Sequence, residues 1–228
     1  LEPVPVAWSW DFHDGQPPLE GSSVTYTWPD DGSYPVTLGI TDSLGGVRAI
    51  TVTVGVANVA PSDLQLSAPD RASEGEDLVF TASAVDPGAD TLSYTWSFGD
   101  GSPSITSPTA TYAYGDDGTF AVTLSVFDGD GGVATQTTAV TVDNVSPVLE
   151  QLLTPARLEE GRPGLFTAVV TDPGRDEERV ITWSLGDGTT AEGEQIEHTY
   201  ADDGTAEVVL TIDDGGPLVV EPVSVTIP

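Results

Sequence analysis

The chain has 228 residues, of which 37 are Asp or Glu, 6 are Arg and none is Lys or Cys, for a formal net charge of −31. Such a charge repels a phosphate backbone, which excludes nucleic acid as a partner and favours cations. The missing Cys excludes disulfides, thiolate catalysis and Cys-held zinc, and no run of 18 or more apolar residues is present to cross a membrane as a helix. The first residues carry no basic, signal-like segment, so an export signal is expected outside this stretch.

The first recognisable element is WDFHDG at 10–15, followed by an acidic turn, WPDDGSY, at 28–34. Both recur, as WSFGDG (96–101) with YGDDGTF (114–120), and as WSLGDG (183–188) with YADDGTA (200–206). Trp10 and Trp96 are 86 residues apart, Trp96 and Trp183 are 87 apart, and the turns repeat every 86. A fixed period with the same aromatic and Gly-Asp punctuation is one folding unit copied in tandem. The copies divide the chain at 1–60, 61–147 and 148–228, each near the size at which an all-β domain folds alone. The second and third units have 35 residues before their Trp, and the first has nine. The first is therefore expected to lack its two N-terminal strands. Either the chain belongs to a longer array or a partner donates those strands, since a sandwich without them leaves open edges.

The second unit reads as strands throughout. LQLS (64–67) and DLVFTASAV (77–85) lead to LSYTWSF (92–98), where Tyr94, Trp96 and Phe98 alternate with Ser93, Thr95 and Ser97. TATYAY (109–114) follows, then FAVTLSVF (120–127) with Phe120, Val122, Leu124 and Val126 inward, then VATQTTAVTV (133–142). The connections are rich in Gly, Pro and Asp, the chemistry of tight turns. No window shows helical spacing. The expected fold is all-β, three tandem immunoglobulin-like antiparallel sandwiches with a buried Trp on the third strand of each. Tyr34 is placed to lock the turn before the sixth strand, but Phe120 and Ala206 stand at the equivalent positions and lack the hydroxyl.

The Trp-x-Phe-Gly-Asp-Gly strand end, the Asp-Asp-Gly-Thr-Phe turn, the Val-Thr-Leu-x-Val-x-Asp strand and the closing Asn-Val-x-Pro together resemble the PKD (polycystic kidney disease) module. The resemblance covers essentially the whole chain in three copies. It departs from the family at His13, which stands for Gly, and at Leu185 and Ala206, which stand at aromatic positions. It implies an immunoglobulin-like module of a large surface or secreted protein.

Nothing in the chain reads as catalytic. The two histidines, His13 and His198, fall in different units, His198 at the strand position of Tyr112, and no nucleophile elbow is present. The Gly-rich turns carry Asp where a phosphate loop needs positive charge. Calcium is the expected cofactor, in a structural role, because it takes six to eight oxygens and acidic turns gathered at one pole of a sandwich supply them. In the second unit that pole gathers Asp86, Asp90, Asp128 and Asp130 with Asn58. In the third it gathers Asp172, Asp176, Asp213 and Asp214 with Asn144. The resemblance adds that some bacterial modules of the family bind calcium at this pole, and implies Asp86 as a ligand. The opposite pole presents Asp30 and Asp31, or Asp116 and Asp117, so acidic tips face each other when units stack. The competing account is that the Asp side chains cap turns without metal, and Asp14, Asp100 and Asp187 are assigned to it.

The linkers VANVAPSD (56–63) and VDNVSPVL (142–149) are short and stiffened by Pro. Asn144-Val-Ser is also a glycosylation sequon, with Pro147 following. Two functions compete. One is a stiff structural or adhesive stalk or fibre-forming array at the cell surface or outside the cell, with neighbouring modules or copies as partners. The other is an accessory module of a secreted hydrolase that grips protein or polysaccharide through Trp8 and Trp28.

Overall fold

Period-2 patterning becomes strands along the whole chain. The computed structural model describes residues 4–88, 90–155, 157–174, 179–216 and 218–228, and contains no helix among them. Module 1 is a single antiparallel sheet of β1 (Pro5–Asp11), β2 (Leu19–Glu20), β3 (Gly32–Asp42) and β4 (Val47–Val56), in the order β2-β1-β3-β4.

Module 2 has two sheets, built from β5 (Ser62–Ser67), β6 (Arg71–Ser73), β7 (Leu78–Val85), β8 (Ser93–Ser97), β9 (Ile105–Thr106), β10 (Thr109–Tyr112), β11 (Gly118–Phe127) and β12 (Val133–Asp143). One sheet runs β10-β7-β5 and the other β6-β12-β11-β8-β9, with β6 parallel to β12 and the other pairs antiparallel. Module 3 repeats this with β13 (Val148–Leu153), β14 (Pro163–Thr171), β15 (Val180–Ser184), β16 (Thr190–Glu192), β17 (Gln195–Thr199), β18 (Gly204–Asp213) and β19 (Val219–Ile227). Its sheets run β13-β14-β17 and β16-β15-β18-β19.

The repeated signature is architecture. The signature Trp pairs with a Leu of the neighbouring strand in each module: Trp10 with Leu38, Trp96 with Leu124 and Trp183 with Leu210. Each indole N–H donates to a backbone carbonyl, of Gly21 (3.0 Å), Ser107 (2.9 Å) and Gly193 (2.9 Å), so the one polar atom is satisfied where the ring is solvent-excluded, at Trp96 and Trp183, and where it is half-buried, at Trp10. The signature Gly is equally explicable. Gly99 has φ +82°, and a Cβ there would sit 2.7 Å from the Ala121 carbonyl oxygen, which excludes a side chain. His13 takes the same left-handed backbone, at φ 57°.

The two-sheet modules each enclose a core. Phe80, Trp96, Phe98, Val122, Leu124 and Val126 are solvent-excluded in module 2, as are Phe166, Trp183, Val208, Leu210 and Ile212 in module 3. Phe120 and Tyr94 pack against the module 2 core while remaining partly exposed. Module 1 differs. Among its described residues only Val36 is a fully buried hydrophobic, and Ile50 and Val52 are 60% and 52% exposed. Its sheet has no second layer among the described residues, so the inner face carrying Trp10, Phe12, Trp28, Val36 and Val52 is an open groove.

Tyrosines tie the layers together in two ways. The Tyr34 hydroxyl donates to the carbonyls of Asp30 (3.0 Å) and Asp31 (2.8 Å), locking the acidic turn of module 1 as the sequence suggests. Modules 2 and 3 use another residue: the hydroxyls of Tyr114 and Tyr200 donate to the carbonyls of Phe98 (3.1 Å) and Leu185 (2.9 Å), inside the core. Module 1 has Trp28 at that position, and its indole nitrogen is buried without a hydrogen-bond partner.

Candidate metal centre

The signature Asp residues cap turns. Asp14, Asp100 and Asp187 each accept a backbone N–H from two residues on, at 2.9, 3.0 and 3.0 Å. Their second oxygens are also taken, by the hydroxyls of Tyr26 and Tyr112 and by Nε2 of His198 at 2.7 Å. The hydroxyl and backbone donors around Asp187, from Thr189, and the bond to His198 hold its carboxyl down to about 2. His198 is thereby accounted for as the strand partner of a turn, the role Tyr112 has in module 2.

At the opposite pole the pattern differs, because Asp86 and Asp90 each keep a buried oxygen without a hydrogen-bond partner. Asp86 Oδ1 accepts the N–H of Gly88 at 2.8 Å, and Asp128 Oδ1 accepts those of Asp130 and Gly132, both at 2.9 Å. These bonds fold the β7–β8 and β11–β12 connections inward, so that one carboxylate oxygen each of Asp86, Asp90 and Asp128 lies within 4.8 Å of the others. Oxygens on opposite sides of a calcium ion with bonds of about 2.4 Å stand about 4.8 Å apart, so this spacing suits that ion. Asp86 Oδ2 and Asp90 Oδ2 are solvent-excluded and have no hydrogen-bond partner. A buried acceptor without a donor is costly unless a cation or proton occupies the space.

Electrostatics agree. Burial, then the charges of Asp30, Asp130, Asp86 and Asp128, push the Asp90 carboxyl up to about 6. The Asn58 amide, donating to Asp128 Oδ2 at 2.7 Å, is the main reason the Asp128 carboxyl is held below the ordinary range. Asn58 thus sits on the cluster, and rotation of its amide would present Oδ1 to an ion. Asp130 is exposed and contributes charge without joining the three clustered side chains. Module 1 closes the site from the other side. Trp28, Pro29, Asp30 and Asp31 line a small cavity with Asn58, Pro87 and Gly88, and Asp31 is raised first by burial and then by Asp130, Asp30 and Asp128. The acidic tips expected to face each other do so.

The second junction repeats the turn caps, without a second three-carboxylate group among the described residues. Asp172 Oδ1 accepts the N–H of Gly174 (3.0 Å) and Asp214 Oδ1 that of Gly216 (2.9 Å). Asp214 is 6% exposed, and its Oδ2 and Asn144 Oδ1 are buried without partners. Asp213 caps Gly215 from an exposed position and does not join Asp214: with Ile212 and Asp214 facing inward, strand alternation turns Asp213 out. Asp176 lies outside the described residues. The residue that sequence reasoning missed here is Glu74 of module 2, 2% exposed, whose Oε1 accepts the Val145 N–H at 2.8 Å. Its only sequence signal is a Glu-Gly pair repeated 86 residues later at Glu160-Gly161.

The profile of the PKD domain family matches residues 2–57, 58–142 and 144–225. The chain belongs to the PKD domain family. Among curated proteins, its PKD array is 27% identical to human polycystin-1 over 234 residues, covering 86% of this chain and 5% of polycystin-1. One stretch is 38% identical over 88 residues to the microbial collagenase of Vibrio alginolyticus, covering 38% of this chain and 11% of the collagenase. The PKD array therefore spans a small fraction of either relative. Among solved structures, an amphioxus IgVJ-C2 molecule aligns with a TM-score of 0.42 at 18% identity, over 69% of this chain and 99% of that one. The PKD modules contain no helix long and apolar enough to cross a membrane among the described residues.

Proposed function

We propose that this chain is a non-catalytic, stiff segment of an extracellular or cell-surface protein, in which calcium bound at module junctions fixes each PKD domain against the next. The observation that carries it is the group Asp86, Asp90 and Asp128, three carboxylates with one oxygen each within 4.8 Å of the others, two of them with a solvent-excluded oxygen left unpaired. The turns that place these oxygens also form the wall against module 1, so filling the site removes the repulsion between facing acidic tips. Short Pro-containing linkers support the same reading, with three modules giving a rod of roughly 100 Å. The polycystin-1 and collagenase relatives support an extracellular setting. Thermal melts of the chain with calcium and with chelator test the ion. The midpoint is expected to rise with calcium, because a ligand held only by the folded state stabilises it, and an unchanged midpoint removes calcium from the account. Small-angle scattering at millimolar calcium is expected to give an extended particle, and a compact one removes the stalk.

A second reading, a binding module of a secreted hydrolase, is supported by the open aromatic groove of module 1. There Phe12 stacks on Tyr26 with ring centroids 3.9 Å apart, and Trp28 stands edge-on to both. Trp28 belongs to this groove, whereas Trp8, on the same strand as Trp10, pairs with Ile40 and is half-buried. Pull-down on insoluble collagen, chitin or cellulose is expected to weaken in Trp28→Ala if the groove binds, and unchanged retention removes this reading.

A further inference from the structure

One stretch of the repeat reverses its charge between modules 2 and 3. RASEGEDL (71–78) returns 86 residues later as RLEEGRPG (157–164), so Arg162 stands for Glu76, Pro163 for Asp77 and Glu159 for Ser73. The turn in this stretch is the same in both copies. Gly75 and Gly161 donate to the carbonyls of Tyr114 and Tyr200, both at 2.8 Å, and the N–H groups of Glu76 and Arg162 to those of Ser73 and Glu159, at 3.2 and 3.1 Å. What differs is the side chains that the turn presents.

Two exchanges shape the surface beside it. Leu158 replaces Ala72 and Gly164 replaces Leu78, and a Cβ on Gly164 would lie 2.1 Å from Leu158 Cδ2. Leu158 thus takes the place of the missing Leu side chain, and the core stays closed. Among the described residues no strand pairs with the free edge of β19 as β6 pairs with β12. Next to this segment and the start of β14 is a pocket of about 650 Å³, lined by the apolar Leu153, Pro155, Pro163 and Leu165 and by Arg157 and Arg162. Leu153 and Leu165 are 48% and 49% exposed, so apolar surface is open to a ligand.

The arginines are available. In module 2, Arg71 is held by both oxygens of Asp143. The register of β18 with β19 puts Pro228 where β11 and β12 put Asp143, and Arg157 has no ion-pair partner among the described residues. Arg162 meets Glu159 at 3.0 Å with both side chains exposed, a contact that water weakens. The pocket therefore sets two arginines against one glutamate, within a chain of net charge −31.

Charge and shape select the occupant. A guanidinium is a planar fork matched to a carboxylate. The surrounding acidic surface repels a polyanion, so the charge admitted is single. Leu and Pro, with no aromatic ring in the described lining, suit aliphatic side chains better than a sugar ring. We propose that this pocket docks a short segment of a partner protein, one Asp or Glu flanked by aliphatic residues, with Arg157 and Arg162 taking the carboxylate and Leu153, Pro163 and Leu165 the flanking side chains. The site requires no metal. Module 2 offers no equivalent, because Glu76 and Asp77 stand there and Asp143 holds Arg71.

Heteronuclear NMR of the nitrogen-15-labelled 228-residue chain in calcium-free buffer, titrated with acetyl-Ala-Leu-Glu-Leu-Ala-amide, tests the inference. Saturable shifts are expected at the amides of Leu153, Arg157, Arg162 and Leu165, and none at their counterparts Ser67, Arg71, Glu76 and Val79. Replacing Glu by Gln in the peptide is expected to weaken binding at least tenfold, as is the double variant Arg157→Gln/Arg162→Gln, whose spectrum also reports whether it is folded. No shifts at the pocket overturn the inference, as do equal affinities for the Glu and Gln peptides or for wild type and the folded double variant. Pocket shifts produced by trigalacturonate and not by the peptide overturn it in favour of an acidic sugar.

Discussion

The two junctions are made from the same repeated pole, yet they join their modules differently. At the first, Asp86, Asp90 and Asp128 cluster within module 2, and module 1 contributes the Trp28–Pro29 wall and the charges of Asp30 and Asp31. At the second, Glu74 of module 2 approaches Asp172 of module 3 over Gly174 and accepts the Val145 N–H of the linker. The repeat supplies acidic turns at every copy, and the preceding module decides what faces them. Module 1 shows the limiting case. Asp42, the counterpart of Asp128, caps Leu44 and Gly46 at 2.8 Å each and belongs to no such group among the described residues.

The largest expected effect that tests this comparison is removal of calcium. At calcium a hundredfold above the dissociation constant, a single site contributes about 2.7 kcal/mol, and a domain of this size moves about 4–8 °C per kcal/mol. Chelation is therefore expected to lower the midpoints of modules 2 and 3 by about 10 °C or more. The intrinsic fluorescence of single-Trp variants retaining Trp96 or Trp183 reports each module separately. Equal midpoints with and without chelator in both modules would remove the distinction between the junctions.

A smaller contrast comes from one substitution made at equivalent positions. Asp128→Asn is expected to lower the module 2 midpoint and abolish its calcium response, because Asp128 serves the pocket and the turn together. Asp42→Asn is expected to cost only part of a turn cap. Calorimetric scans of the two variants decide, and equal losses would mean that Asp128 is only a cap.

Next in size is the pH response in chelator. The folded Asp90 carboxyl titrates at about 6 against an ordinary value of 3.8, so between these values the folded chain binds more protons than the unfolded one. Stability from this group is greatest in acid and falls as pH rises through that window. Urea midpoints of module 2 are expected to be higher at pH 5 than at pH 7 without calcium. With calcium the order is expected to reverse, since protons then compete with the ion. Burial, with Asp172 as the largest neighbouring charge, shifts Glu74 in the same direction, giving the second junction the same sign.

The smallest effect separates core locks from junction chemistry. Tyr114→Phe and Tyr200→Phe each leave a core carbonyl unpaired and are expected to cost about 1 kcal/mol by urea denaturation, with calcium binding unchanged. A loss of calcium affinity in either variant would mean that the lock and the pocket are coupled.

Much of this was legible because it is local. Trp96 and its alternating neighbours declare a buried strand, GDG declares a turn, and the 86-residue period declares the copies. The first site was also within reach, since Asp86 and Asp90 share one loop and Asp128 follows a strand whose inward residues are plain. Alternation through Ile212 also separates Asp213 from Asp214. What escaped were contacts between remote segments: the Tyr114 hydroxyl meets a carbonyl 16 residues away, and Glu74 meets a linker N–H 71 residues away.

The sequence by itself determined the all-β class, the three copies and the sign of the charge, because period-2 patterning, turn chemistry and composition are properties of neighbouring residues. The tertiary structure decided which carboxylates lose water and keep an unpaired oxygen. Desolvation of Asp90, Asp214 and Glu74 is imposed by chain segments from elsewhere in the fold, and that imposed burial sets these carboxylates apart from the solvated acids of the surface.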